Sequence, residues 1–496
     1  MRSSLMLLCV LTLGAVLPWT SPCAAERAAD VRLPAGPPAD RFRELLQAMH
    51  SSDRAVLAKH AEGAFAPSMM RPDDSILDFL LGQVQMSGGF VVRRVLQSAD
   101  RQITVLVQGK QKPDVWLRYV VGVEPEAPHR VNGIFTYRAS AAMAGEPDGP
   151  VPAEQLPARF AELVDRIAAE GRFSGSVCLM RNGEALVSRA WGEADREAHT
   201  PNSDTTRFGI ASVGKMFTAV AIAQLAEAGK LQIEDRAAKF VPGWLPPGAE
   251  SVTIAQLLTH TSGLGDYLGG VVNDRSGRSF DALEDYRRFA VESPIAFAPG
   301  SAFQYSNTGY VVLGAILEKV SGLPWHDWVN DRVLAAAGMT HSDAKRDGHR
   351  PRGPIATGYH LSEEGVWGRT DTLRAGNGTP AGGGEATAKD LARFGTALFE
   401  GRLVTPAMLA RMTEPRVAMA GTGKQYGYGT EIVSGREGRS IFGHEGGFPG
   451  VGASLEVYLP EGYVLAVLSN TTGGAAPVAD AWRDLLLRSI APAAKP

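Results

Sequence analysis

Residues 216–225, MFTAVAIAQL, are apolar on nearly every face of a helix, and a lysine, Lys215, stands directly before them. A helix of that kind belongs in the interior of a protein, and Gly229 is placed to end it as a C′ residue. The lysine must then either escape to solvent or have a task inside. Ser212 lies three residues earlier, at the start of the same helix and on the same side as Lys215. Burial strips an ammonium group of its hydration and lowers its pKa. A lysine so shifted can take a proton from a serine hydroxyl. The unpaired N–H groups of the helix start add a favourable field for a developing oxyanion.

Ser-x-x-Lys is a cheap pattern, and a second copy spans Ser342 to Lys345. That copy runs into RDGHRPRG, polar and turn-rich, and is expected to be a solvated loop. Only the Ser212 copy opens a buried helix. Two further stretches carry chemistry-bearing residues. Tyr305-Ser306-Asn307 follows the Pro299-Gly300 turn and precedes an apolar helix expected from about Tyr310. Asn307 there also reads as a helix N-cap, and Tyr305 as a core residue. His444-Glu445-Gly446-Gly447 ends a strand pattern, where glycines let backbone approach a ligand closely.

The chain opens with one arginine, an apolar run from Leu5 to Leu17, Pro18 and small residues. This is the pattern of a secretory signal peptide over residues 1–25, and the apolar run is short for a membrane span. Cys23 raises lipid anchoring, although TSPC is a poor lipidation box. Removal of the leader leaves Cys178 alone, without an intrachain disulfide. The net charge of −3 carries no basic excess for nucleic acid or an anionic membrane surface. The expectation is a secreted or periplasmic protein with a small-molecule or peptide substrate, no nucleic-acid partner and no transmembrane span in the mature chain.

Over residues 30–140 the helical spacing of Phe42, Leu45, Leu46 and Met49, and an apolar stretch that Ser75 can cap, precede four strand patterns: FVVRRVL, QITVLVQ, DVWLRYVVGV and RVNGIFTYR. Helices before strands predict a small α+β domain, and the order resembles the NTF2-like cone fold. Residues 141–155, rich in Ala, Gly and Pro, read as a linker. A second domain is expected over 156–492. It begins with an amphipathic helix and a hairpin about Asn182-Gly183. It ends with a hairpin about Pro460-Glu461-Gly462 and a helix from about Val478 to Ile490. A largely helical middle, 205–420, implies one sheet built from both ends of the domain around a helical insertion.

Ser-x-x-Lys, Tyr-x-Asn and His-x-Gly in this order resemble the serine hydrolases of the class C β-lactamase and penicillin-recognising group, which includes D-alanyl-D-alanine carboxypeptidases, D-aminopeptidases and family VIII esterases. LLTHTSGL (257–264), PGSAFQYSN (299–307) and AGGGEATAKDLARF (381–394) match as well. The resemblance covers roughly residues 155–490. It implies an α+β β-lactamase/DD-peptidase-like fold, an antiparallel sheet flanked by helices with a helical subdomain, and acyl transfer without metal or cofactor. By this resemblance Ser212 is the nucleophile, Lys215 its base, and Tyr305 the group that shuttles the proton. Asn307 holds Lys215 and a substrate carbonyl. His444 takes the place of the lysine that begins the third motif, Gly446 completes that motif, and Gly447 shares the oxyanion hole with Ser212.

The chain departs from class C β-lactamases at that third motif, where His-Glu-Gly replaces Lys-Thr-Gly. A protonated His444 could partly replace the lost charge. Glu445, if it points inward, would repel a substrate carboxylate. The pattern therefore fits esters or amides better than β-lactams. HEGGF lacks the second histidine of a zincin, and Ser212 lacks the first glycine of an α/β-hydrolase elbow. His260 is expected to pack at a helix end rather than serve as a triad base. A binding protein on a retired hydrolase fold is the rival of another class, and an N-terminal domain with its own ligand is a third.

Overall fold

The computed structural model describes residues 31–489 except 71–74, 147–149, 274–279, 281, 345–352, 363–365, 371–377, 420–421 and 435–438. The expected leader, residues 1–25, lies outside the described residues, as does Lys345 of the second Ser-x-x-Lys. Its partner Ser342 is buried and donates to Asp390 Oδ2 at 3.0 Å, so that position is packed rather than solvated. Among the described residues no helix is long and apolar enough to cross a membrane.

Three helices come first: α1 (Pro37–Ala48), α2 (Arg54–Ala64) and α3 (Ser75–Ser87). Asp53 starts α2 by accepting from the Ala55 N–H at 2.8 Å. An antiparallel meander follows, of β1 (Phe90–Ala99), β2 (Gln102–Gly109), β3 (Trp116–Val123) and β4 (Val131–Arg138). Alternation assigns the two faces of this sheet. Ile103, Val105, Tyr119 and Val121 meet Phe42, Leu45, Leu57 and Leu80 of the helices in one core. Leu106 and Arg118 point the other way.

The rest of the chain contributes α4 (Leu156–Ala169), β5 (Gly175–Arg181), β6 (Glu184–Trp191), α5 (Gly214–Glu227), α6 (Asn307–Ser321) and α7 (Ala388–Phe399). Six strands follow: β7 (Val417–Met419), β8 (Lys424–Tyr426), β9 (Glu431–Ser434), β10 (Ser440–Phe448), β11 (Val451–Leu459) and β12 (Tyr463–Ser469). The last described helix is α8 (Ala475–Ser489). The turn between β5 and β6 has positive φ at both Asn182 (49°) and Gly183 (83°), as a type I′ turn requires.

One eight-stranded antiparallel sheet runs in the order β7-β8-β9-β10-β11-β12-β5-β6. Strand β12 pairs with β5, from Ser469 opposite Gly175 to Tyr463 opposite Arg181. The two ends of this part of the chain thus close one sheet around the helical middle. Helices α5, α6 and α7 share a core with Cys178, Met180, Leu455 and Val464 on one face. Helices α4 and α8 cover Val177, Leu179, Leu465 and Val467 on the other. This is an α+β fold of helix, sheet and helix layers.

The N-terminal sheet docks on α8. Leu106 joins the α4–α8 core, Arg118 pairs with Asp480, and Arg94 lies 3.8 Å from Asp484 one helical turn on. The first part of the stretch read as a linker packs in the same seam, while Pro150 and residues 152–155 are exposed. Ala142 and Met143 are buried there, and Glu146 pairs with Arg159 at 3.2 Å and with Arg166.

Candidate active site

Ser212 sits in a single 3₁₀ turn, Ala211–Val213, that leads directly into α5. Ala211 holds a positive φ of 44°, a costly conformation for a residue with a Cβ and one that recurs at functional sites. Lys215 follows one turn on, with its side chain fully buried. Its amine has three oxygen neighbours: Ser212 Oγ at 3.1 Å, Asn307 Oδ1 at 2.7 Å and the Ala381 carbonyl. Burial lowers the Lys215 pKa to about 7, against the opposing pull of Asp266 and Glu431.

The carbonyl of Ala381 comes from AGGGE. Glycines there permit close approach: a Cβ on Gly382 would stand 2.8 Å from the Ala211 carbonyl. Thr218, one turn beyond Lys215, anchors the segment by donating to the Pro380 carbonyl at 2.8 Å.

The Tyr305 ring lies 4.7 Å from the Lys215 amine, and Ser212 is among the groups that act on its hydroxyl. Burial pushes its pKa well above the usual phenol value, so the hydroxyl keeps its proton. His260 stacks on the Tyr305 ring with centroids 4.2 Å apart. Its Nδ1 accepts from the Ser306 N–H at 3.0 Å. Burial, with Lys215 and His444 nearby, holds its pKa well below the usual value. It is a neutral packing partner beside the tyrosine, as expected of a residue at a helix end.

The N-cap of α6 is Ser306, which accepts from the Gly309 N–H at 3.1 Å. That leaves the Asn307 side chain free to face Lys215. Its Nδ2 donates to Asp266 Oδ2 at 2.8 Å.

Strand β10 carries the third motif past the Ser212 turn. A Cβ on Gly446 would lie 2.4 Å from the Ile210 carbonyl and 3.1 Å from the Ser212 nitrogen. Glycine is what lets β10 lie alongside Ser212. Gly447 follows at an exposed position with open space around it. His444 is buried with both ring nitrogens occupied. Nδ1 faces the Glu445 carbonyl at 2.5 Å and Nε2 faces the Tyr426 hydroxyl at 2.8 Å. Burial lowers its pKa despite Glu431 nearby. The expected cationic replacement for the missing lysine is therefore not supplied by His444, because desolvation favours its neutral form.

Glu445 meets Lys424 at 2.7 Å, and Lys424 also meets Glu431 at 2.6 Å. Burial alone would raise the Glu445 pKa, but Lys424 and Arg483 hold it down to about 2. Its charge is thus matched by Lys424 rather than left bare. Ala381, Asp266, Glu431, Lys424 and Tyr426 escaped the sequence reading. Asp266 lies two residues beyond LLTHTSGL, where a motif search could have reached it. Ala381 opens the AGGGEATAKDLARF match, where its carbonyl went unread, and Glu431, Lys424 and Tyr426 carry no local signal.

A family model described as Beta-lactamase matches residues 160–489. Penicillin-binding protein 4* of Bacillus subtilis (strain 168) is 29% identical over 325 residues, 62% of this chain and 70% of that protein. Esterase EstB of Burkholderia gladioli is 40% identical over 202 residues, 38% of this chain and 51% of that protein, so the match spans about half of the esterase. Among solved structures, the penicillin binding protein from Bacillus halodurans is similar with a TM-score of 0.60 and 31% identity, covering 65% of this chain and 98% of that one. Family model, sheet order and helical layers agree: this chain belongs to the Beta-lactamase family and is a hydrolase of that family.

Proposed function

We propose that this protein is a secreted or periplasmic serine hydrolase that acts by acyl transfer on esters or amides, with Ser212 as nucleophile and Lys215 as base. The leader-like first 25 residues support the export. The observation that carries the chemistry is the match between a neutral amine and its three neighbours. A neutral lysine has two N–H bonds and one lone pair. The Ala381 carbonyl and Asn307 Oδ1 can only accept. They take the two hydrogens, and the lone pair is left for the Ser212 hydroxyl.

Lys215 removes the Ser212 proton as Oγ attacks the substrate carbonyl carbon. The oxyanion faces the backbone N–H groups of Ser212 and Gly447. Lys215 then returns the proton through the protonated Tyr305 hydroxyl to the leaving alcohol or amine. The carbon–heteroatom bond breaks and an ester forms on Ser212. Water repeats the sequence and releases the acid. Two lower barriers replace one high barrier.

Charge favours neutral acyl donors. Lys424 is committed to Glu431 and Glu445, a group of one negative charge overall. A substrate carboxylate gains no attraction there, so a penicillin-type β-lactam should be a poor substrate. The N-terminal unit, residues 30–140 with an NTF2-like order of helices and strands, serves as a brace for α8, with residues 141–155 as the connector.

The test is hydrolysis of a short-chain p-nitrophenyl ester by the mature protein beside Ser212→Ala, with mass spectrometry for an acyl adduct on Ser212. Ester turnover lost in the mutant supports the proposal. Turnover that persists in Ser212→Ala rejects it.

A further inference from the structure

Asn307 can present either end of its amide to Lys215, because the oxygen and the NH₂ group exchange places on a half-turn about the terminal bond. The two choices have opposite chemical effects. With Oδ1 inward, the amide accepts an amine hydrogen and leaves the lysine lone pair to Ser212. With Nδ2 inward, it donates into that lone pair and competes with the Ser212 hydroxyl.

Asp266 decides between them. Its Oδ2 accepts from Asn307 Nδ2 at 2.8 Å and from the Asn307 backbone N–H at 3.2 Å. Its Oδ1 is held by the Leu268 N–H at 2.9 Å. The carboxylate therefore also satisfies the first N–H of α6 and sits at that helix's positive end.

We propose that Asp266 is a positioning residue for the Ser212–Lys215 pair, acting through Asn307: it locks the amide with Oδ1 toward the lysine and sets one negative charge beside the amine. The plainer role, a cap for the Leu268 turn, accounts for Oδ1 alone. Capping the first N–H of α6 accounts for one Oδ2 bond, and the bond from Asn307 Nδ2 is left without a structural purpose.

The groups facing Lys215 are few enough to separate. Asp266 comes from the 261–267 loop and Glu431 from β9, and both favour the charged amine. His260 and His444 are buried and held toward neutrality. Tyr305 and Tyr310 keep their protons, raised by burial. Removal of the Asp266 charge should let Lys215 lose its proton more readily, moving the acid limb of kcat/KM to lower pH. Loss of the amide lock should lower kcat and leave KM nearly unchanged.

The inference rests on the serine-hydrolase reading, and the experiment separates the two. The pH profile of ester hydrolysis is recorded for wild type, Asp266→Asn, Asp266→Ser and Asp266→Glu at low ionic strength, with folding checked by circular dichroism. Asp266→Asn and Asp266→Ser should each lose about tenfold in kcat and shift the limb down by roughly half a unit. Asp266→Ser keeps an acceptor for Leu268, and Asp266→Glu keeps the charge and should leave the limb in place. A limb that does not move in Asp266→Asn and Asp266→Ser overturns the proposal whatever their rates, since a turn cap has no reason to move it. Wild-type turnover that ignores Ser212 would instead overturn the hydrolase reading.

Discussion

Tyr426 and His444 meet through the tyrosine hydroxyl and Nε2 at 2.8 Å, both buried, on strands β8 and β10. The other ring nitrogen turns to the carbonyl of Glu445. With Nδ1 donating to that carbonyl, the Nε2 of a neutral ring accepts from the tyrosine, so the carbonyl sets the tautomer and the tyrosine holds the ring. His444 lines the candidate site, and burial holds it toward the neutral form against the pull of Glu431 and the Glu445 carbonyl.

Tyr426→Phe leaves Nε2 buried without its donor. The expected cost is about 1–3 kcal/mol of stability, the penalty of an unsatisfied buried polar atom. Urea denaturation of mutant and wild type reads it directly. An unchanged midpoint would show that the bond contributes nothing.

The acid limb of kcat/KM in the wild type should lie near pH 7. Lys215 must be neutral to act as a base, and burial lowers its pKa to about 7. Activity therefore rises as pH increases through that value and falls below it. A limb near the ordinary lysine value, above pH 10, would show that burial does not make Lys215 a neutral base near pH 7.

Substitution in the proposed catalytic set separates base from shuttle. Lys215→Met should lower kcat by roughly 10²–10⁴-fold and Tyr305→Phe by at least about a hundredfold, the range of general acid–base catalysis. Stopped-flow measurement of the p-nitrophenol burst distinguishes slow acylation from slow deacylation. A Tyr305→Phe enzyme with wild-type kcat would assign proton delivery to another group.

Gly446→Ala places a methyl 2.4 Å from the Ile210 carbonyl, closer than any real Cβ contact. Strand β10 must retreat from the Ser212 turn, and the proposed oxyanion donors separate with it. A loss of about 10²-fold or more in kcat is expected, the effect of removing one oxyanion donor. Steady-state kinetics on the folded variant checks this. Retained kcat would mean that the two backbone segments do not act together.

Arg118→Ala tests the brace between the N-terminal sheet and α8. Arg118 and Asp480 are both buried and paired, and Asp480 keeps Arg483 at 2.9 Å. Breaking a buried pair from one side costs about 3–5 kcal/mol, and the remaining Arg483 contact places this variant toward the lower end. Thermal melting of the full chain should show a lowered Tm. An unshifted melt would mean that the N-terminal unit is held by Leu106 and its apolar neighbours alone.

Much of this molecule follows from local pattern. The apolar run after Lys215 made a buried helix, and three residues of spacing put Ser212 and the lysine on one side of it. Asn182-Gly183 determined a hairpin through backbone conformation alone. The strand patterns at both ends of the second half predicted one sheet around a helical insertion. Such features depend on periods of two and 3.6 residues, which a single sequence displays.

Tertiary structure decided the rest. Asn307 reaches Lys215 across 92 residues and Ala381 reaches it across 166. A backbone carbonyl has no side-chain identity to betray it. The charge states of His444 and Glu445 came from burial and from Lys424, a residue with no motif around it. The first residues of the 141–155 stretch read as open because small residues suit a linker as well as a tight seam. Composition cannot separate the two until the N-terminal sheet is seen against α8, since packing is a property of both surfaces at once.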